Sequence, residues 1–449
     1  MDFLSLRSKH PSLTFERFTM HVVNNQTEVT YTFTLAPNIT FSPRLFFPFV
    51  LDKNAHAYLF HIGLVELLSY WKLACPKIIQ INAGFLDAQQ IHFFDVLLRK
   101  GLGEFFYTNG IDPQIPDLVE WKVDAQAPHY ARLKIEHDNQ GQVILVGGGK
   151  DSAVALHIIG QSGTSIVMLN PTAAAEAIVK ESTITNVLRI NRFIDPQLLQ
   201  LNQQGYLNGH TPFSALLAFV GLVSAHATKK KYVIVANEQS ANEGNLVYKG
   251  TTINHQYSKS YPFEHDFRQY VESYLSGSAN YLSILRPLNE LQVAYLFSKL
   301  SKYHQLFISC NRNKGASWCG KCPKCAFVFI LMSAFLNPID VEKIFGTNMF
   351  ASATLFPIFS ALMGAGEHKP FECVGTELES RQAVILSRQQ YLESNTPIPP
   401  MLDQLFELTS LSEREIQLIR HTLLESFNQQ HFVPKVWESK IKSALKNST

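Results

Sequence analysis

The run Gly147-Gly148-Gly149-Lys150-Asp151-Ser152 follows four apolar residues, Val143 to Val146, and leads into apolar spacing of helical type. Strand, glycine turn and helix start in that order suit phosphate. Glycines let the backbone take positive φ and come close to a ligand. The helix start offers free N–H groups and the positive end of a dipole. Lys150 adds a charge and Ser152 a hydroxyl donor. The spacing is neither that of a Walker A loop nor G-x-G-x-x-G; an ordinary glycine-rich turn is the plainer alternative. A second run, Asn237–Asn245, is polar and follows the apolar stretch Tyr232–Ala236. Its carboxylates Glu238 and Glu243 could hold Mg²⁺, directly or through water, or belong to a solvated turn.

Cys310, Cys319, Cys322 and Cys325 are separated by eight, two and two residues. Four thiolates can close a tetrahedral Zn²⁺ site, which would be structural because no position stays open. Lys314, Lys321 and Lys324 would offset the negative charge. An iron–sulfur centre and unliganded or redox cysteines are the alternatives. Six cysteines in 449 residues, clustered in this way, do not look like a disulfide framework.

The elements that must position these groups divide the chain in three. Residues 1–137 read as an α/β or α+β unit, with a strand at Val29–Leu35, a helix at Tyr58–Leu73, a strand at Lys77–Ile81 and a long helical pattern from Asp87 to Tyr107. Asp138-Asn139-Gln140-Gly141 is turn chemistry and marks the entry to the centre. Residues 138–345 alternate. Strands at 143–146, 165–169, 186–190 and 232–236 are separated by helices at 151–159, 173–181 and 212–227. That order predicts a parallel, doubly wound sheet covered on both faces, with ligands at the carboxyl ends of its strands. Residues 346–449 read as mainly helical, at 356–366, 382–392, 400–408 and 413–427.

Composition bounds the partners. A formal net charge of +2 gives no general grip on nucleic acid. Met1–His10 has no apolar signal region, and the longest apolar run, Cys325–Leu336, is too short to span a bilayer and reads as a buried helix. The chain therefore reads as cytoplasmic, with no membrane partner.

The glycine run resembles the pyrophosphate loop of the ATP-pyrophosphatase superfamily, usually Ser-Gly-Gly-x-Asp-Ser, with Gly147 in place of the first Ser. Three further passages narrow the resemblance: Asn237–Asn245, Asn254-His-Gln-Tyr-Ser-Lys-Ser260 followed by Phe263-Glu264, and Phe371-Glu-Cys-Val-Gly-Thr-Glu-Leu-Glu-Ser-Arg381. With the cysteine cluster they resemble the UDP-N-acetylmuramoyl-L-alanyl-L-glutamate epimerases of peptidoglycan synthesis, over most of the chain. The resemblance implies inversion of the terminal L-glutamate of UDP-MurNAc-L-Ala-L-Glu, with ATP cleaved to AMP and pyrophosphate and Mg²⁺ required. It implies that Gly147, Gly148, Gly149, Lys150 and Ser152 cradle phosphate and that Asp151 caps the helix or reaches Mg²⁺. Glu238 and Glu243 are the metal or ATP-side candidates. Inversion needs a base and an acid on opposite faces, or one mobile group; Cys373, His255, Lys259 and Glu377 are the candidates. A thiolate near Arg381 would have a lowered pKa, although a lone Cys is also a common small buried residue. Lys259 and Arg381 could instead hold substrate carboxylate or phosphate. Coupling to a D-glutamate- or L-glutamate-adding ligase would fit such a pathway.

Two other readings stay open. One is another pyrophosphate-loop ligase or a tRNA-modifying enzyme like the zinc-binding cyano-deazaguanine synthases, whose cysteine spacing is similar. The other is a nucleotide-sensing module, favoured by the glycine at 147. Pyrophosphate release with ammonia or tRNA would mark the first, and binding without turnover the second.

Overall fold

The computed structural model describes residues 2–133, 140–275, 279–313 and 316–446. Asp138 and Asn139 of the expected domain entry, and Lys314, lie outside the described residues. In chain order the strands are β1 (Ser12–Val23), β2 (Gln26–Leu35), β3 (Ile39–Phe41), β4 (Arg44–Phe47), β5 (Ile78–Ile81) and β6 (Glu120–Val123) in the N-terminal part. The centre carries β7 (Gln142–Leu145), β8 (Thr164–Leu169), β9 (Val187–Phe193), β10 (Tyr232–Val235), β11 (Leu246–Tyr248), β12 (Thr251–Ile253) and β13 (Asn280–Ser283).

Eleven strands join in one sheet of order β13-β10-β7-β8-β9-β4-β2-β1-β5-β6, with β3 added on β2. The five strands from β13 to β9 are all parallel. Their order places β7 between two wings that were laid down in opposite directions, β8 and β9 on one side, β10 and β13 on the other. That reversal is the switch point at which open α/β sheets leave a crevice beyond the strand ends. Alternate residues of β7 face different cores. Val143 and Leu145 pack with Val167, Val233 and the helix Phe213–Ala227. Ile144 and Val146 pack with Ile166, Ile234 and the helices Lys150–Ile159 and Glu290–Ser298. Burial on both faces is why β7, β8 and β10 carry continuous apolar runs rather than alternating.

The sheet does not stop at the parallel half. β9 pairs antiparallel with β4, through Leu45 and Arg192, and so continues into the antiparallel strands β4, β2 and β1. The helix His56–Trp71, apolar all round, is buried between β1 and the helix Phe213–Ala227. A Cβ on Gly63 would stand 2.4 Å from the Phe15 ring, so glycine permits that close approach. Glu66 on this helix is buried and pairs with Arg192 of β9, Nη2 to Oε2 at 2.8 Å.

The long helical pattern after Asp87 is two helices, Ala88–Gly101 and Gly103–Thr108, jointed at the buried Leu102. The helix expected from Gln382 starts earlier, at Glu377, because Thr376 and Glu379 form a capping box. The apolar run forms the helix Pro323–Ser333, buried against Glu377–Glu393. Among the described residues no helix is long and apolar enough to cross a membrane.

Candidate active site

The glycine run lies at the carboxyl end of β7, at the switch point. Gly148 has φ +92°, and a Cβ there would stand 2.7 Å from the Ala175 nitrogen, so no larger residue fits without a shift. Gly149 is the N-cap of the helix Lys150–Ile159 and supplies no capping side chain. The Gly147 N–H donates to Ser152 Oγ at 3.1 Å, and a Cβ on Gly147 would meet nothing within 4 Å. Gly147 is therefore bare backbone facing open space, while Gly148 packs on Ala175 and Gly149 lies against Ser309.

That space is a cleft of about 400 Å³. Gly147, Gly149, Asp151 and Ser152 form one wall; Lys259, Lys324 and Cys373 form another; Phe213, Leu217, Val167 and Leu169 add an apolar side. The Lys150 ammonium is not on the cleft wall. It is buried behind the loop, paired with Asp151 and with Glu290 at the start of the helix Glu290–Ser298. Burial lowers its pKa, but Asp151 and Glu290 outweigh that and hold it charged. Burial pushes Glu238 and Glu290 up, with neighbouring carboxylates adding to the rise. Burial also raises Asp151, but Lys150 outweighs it and keeps the carboxylate low.

Arg286, fully buried, ties the second wall together. Its Nε meets Glu264 Oε2 at 2.9 Å, its Nη1 donates to the Glu238 carbonyl at 2.6 Å, and its Nη2 donates to the Lys259 carbonyl. Lys259 Nζ then donates to Cys373 Sγ at 3.0 Å. Lys324 donates to the Cys373 carbonyl. Burial alone would raise the Cys373 thiol; Lys259, then His255 and Lys324, outweigh it and bring it down to about 5. The cations around this sulfur are these three and not Arg381, whose Nε is spent on the Met363 carbonyl at 2.7 Å.

His255 touches Cys373 on one side and Glu104 on the other. Burial would lower its pKa; hydrogen bonds to Cys373 and Glu104 outweigh it and lift it to about 9. The four clustered cysteines come together with all sulfurs within 4.8 Å of one another, a set that fits a tetrahedral metal. Cys322 caps the helix Pro323–Ser333 and Cys310 reaches the cleft wall, so the cluster also fixes where Lys324 stands.

Of the residues singled out from sequence, the structure gathers Gly147, Gly149, Asp151, Ser152, Lys259 and Cys373 on one cleft, with Gly148, Lys150, Glu238 and His255 directly behind. It leaves three apart. Glu243 pairs with Lys369 at 3.0 Å on a different pocket. Glu377 lies against Gly364, and Arg381 faces Met363. Sequence reasoning missed Glu104, His210, Glu290, Arg286 and the role of Lys324. Only Lys324 carried a local signal, its place inside Cys-Pro-Lys-Cys.

Residues 5–284 match the MurL N-terminal domain family, and residues 306–414 match the MurL C-terminal domain family. The chain belongs to the MurL family. A relative from Xanthomonas oryzae pv. oryzae, named UDP-N-acetyl-alpha-D-muramoyl-L-alanyl-L-glutamate epimerase, is 34% identical over 412 residues, 87% of this chain and 89% of its own length. Relatives of the same name from Micromonospora sp. and Salinispora tropica are 34% and 32% identical, each over 75% of this chain and 76% and 74% of their own length. As a MurL member the chain is an epimerase, an enzyme of the isomerase class. No solved structure matches it.

Proposed function

We propose that this chain inverts the terminal L-glutamate of UDP-MurNAc-L-Ala-L-Glu to D-glutamate in peptidoglycan synthesis, converting ATP to AMP and pyrophosphate. The observation that carries the reading is the single cleft joining a bare glycine loop to a thiol gripped by cations. One end suits phosphate and the other suits proton transfer.

The chemistry needs both ends. A free carboxylate resists loss of its α-proton, because the carbanion would stand beside an existing negative charge. Transfer of AMP to the α-carboxylate forms an acyl–O–P bond, breaks the α–β phosphate bond of ATP and releases pyrophosphate. The activated carbonyl then accepts the electron pair when the Cα–H bond breaks. Reprotonation on the other face and attack by water on the acyl carbon yield the D-epimer and AMP. The N–H groups of the glycine loop and Ser152 would bind the leaving phosphates. Asp151 and Glu238 fit the oxygen donors that Mg²⁺ takes. Cys373, as thiolate, is the group placed to take a proton, and Lys259 is placed to hold it charged or to meet a substrate carboxylate. The cysteine cluster would hold a structural zinc. Residues 1–137 would contribute substrate recognition, residues 138–345 the nucleotide, and the chain after 345 the thiol. Action in the cytoplasm, before a glutamate-adding ligase or after one, suits a nucleotide-linked substrate.

The test is turnover of UDP-MurNAc-L-Ala-L-Glu with ATP and Mg²⁺ in D₂O, reading pyrophosphate and then the glutamate released by hydrolysis. D-glutamate carrying deuterium at Cα is expected. Inversion without any pyrophosphate would overturn the adenylation route, and pyrophosphate without inversion would point to a ligase.

A further inference from the structure

We infer that Glu104 is a positioning residue that acts on Cys373 through His255, so that a carboxylate of the N-terminal part sets the state of the reacting thiol. The inference rests on the proposed role of Cys373.

Glu104 sits on the short helix Gly103–Thr108, and its carboxylate accepts a hydrogen bond from His255 Nδ1 across 151 positions of sequence. The His255 backbone is fixed as well, its N–H donating to Asn245 Oδ1 at 2.9 Å. With Nδ1 held by Glu104, the ring's other nitrogen is the one free to meet Cys373. Carboxylate, imidazole and sulfur in that order are the arrangement in which a third group orients a base beside its nucleophile. The proton passes from Cys373 Sγ to that second nitrogen: an S–H bond breaks, an N–H bond forms, and thiolate stands beside imidazolium. The other proton stays on Nδ1 and is donated to Glu104, whose negative charge stabilises the imidazolium.

The other charged groups are consistent with one imidazolium only. His210 lies against His255, the rings tilted by 47° with centroids 4.3 Å apart, and its Nδ1 lies 3.7 Å from the same Glu104 oxygen. Burial, then the charge of His255, Lys72 and Lys259, hold His210 down to about 3, so it stays neutral. Around Cys373 stand Lys259, Lys324 and His255, with Glu372 the opposing charge. Glu372 is itself raised by burial, which weakens its opposition.

The test uses the full-length chain with iodoacetamide, following alkylation of Cys373 by peptide mass against pH. In the parent chain the half-point is expected near 5. Glu104→Gln should move it up by about one pH unit or more, Glu104→Asp should recover part of the shift, and His255→Gln should move it the same way. Thermal melts identify any variant that fails to fold, and then His255→Gln decides. An unchanged half-point in folded Glu104→Gln or His255→Gln would overturn the inference. So would a divalent ion lost from both Glu104→Gln and His210→Ala while the cysteine cluster keeps its metal, because Glu104, His210 and His255 also make a metal-ligand set. Alkylation needs no substrate. A shifted profile in a chain that does not invert the dipeptide would leave this relay standing and remove the proposed reaction.

Discussion

Cys373 and His255 titrate in opposite senses, and that sets a pH window. The thiol is depressed to about 5, so its thiolate is lost as pH falls through that value. The imidazole is raised to about 9, so its charge is lost as pH rises through that value. kcat/KM should therefore form a bell with limbs near 5 and 9. A profile still rising above the upper limb would show that a neutral His255 is the active form. The same shift enters stability. The raised pKa of His255 contributes fully below its unfolded value of about 6.5 and is lost as pH climbs through about 9. At this scale the glycine run was legible because its six residues are contiguous and their types leave few other uses. Cys373 and Lys259 could be named as candidates but not paired, since 114 positions separate them. Glu104 and Glu290 could not be found at all. Each is one acid on a helix, and only folding brings it to His255 or Lys150.

The element that does most for the site is the helix Pro323–Ser333. Its N-cap is Cys322, its second residue is Lys324, and its first turn carries Cys325. Whatever fixes the four cysteines thus fixes the ammonium that holds the Cys373 carbonyl. Cys319→Ser should lower bound metal and stability together, with Tm falling by at least about 5 °C. Elemental analysis beside a thermal melt checks this, and full Tm after metal removal would refute a structural metal. Local patterns identified most parallel strands and their helices, since buried apolar runs between turns are strong signals. Elements that read poorly have other partners. β1 alternates apolar Leu13 and Phe15 with polar neighbours and then loses its burial past Phe15. β13 is a four-residue strand whose Ser283 is buried by its hydrogen bond to the Asn237 carbonyl rather than by hydrophobicity. The break at Leu102 left no signature because glycines on both sides are tolerated in helices as well as between them.

At the scale of the molecule, the sequence suggested a parallel sheet with a separate unit before it, and the pairing of β4 with β9 was invisible. No short-range pattern encodes which edge of one sheet meets another. Arg192 and Glu66 hold that seam from the side, with Glu66 about 1% exposed. Removing one charge of a buried pair leaves the other uncompensated. Glu66→Gln should cost about 3 kcal/mol in denaturant unfolding, with both halves melting in one transition. Two separated transitions in the parent chain would mean that the seam does not couple them.

The seam also governs how the chain can be divided. In the whole chain, β9 has neighbours on both sides, β8 and β4. A cut near residue 140 that discards the first part strips one side and bares the backbone groups that Asn191 and Phe193 turn towards β4, whereas those of Arg192 stay bonded to the Asn170 side chain. An unpaired edge of that kind recruits strands from other copies. The same cut removes Glu104 and leaves His255 without its carboxylate. A fragment carrying the complete glycine loop but lacking the first part would thus be both prone to self-association and missing the carboxylate that holds His255.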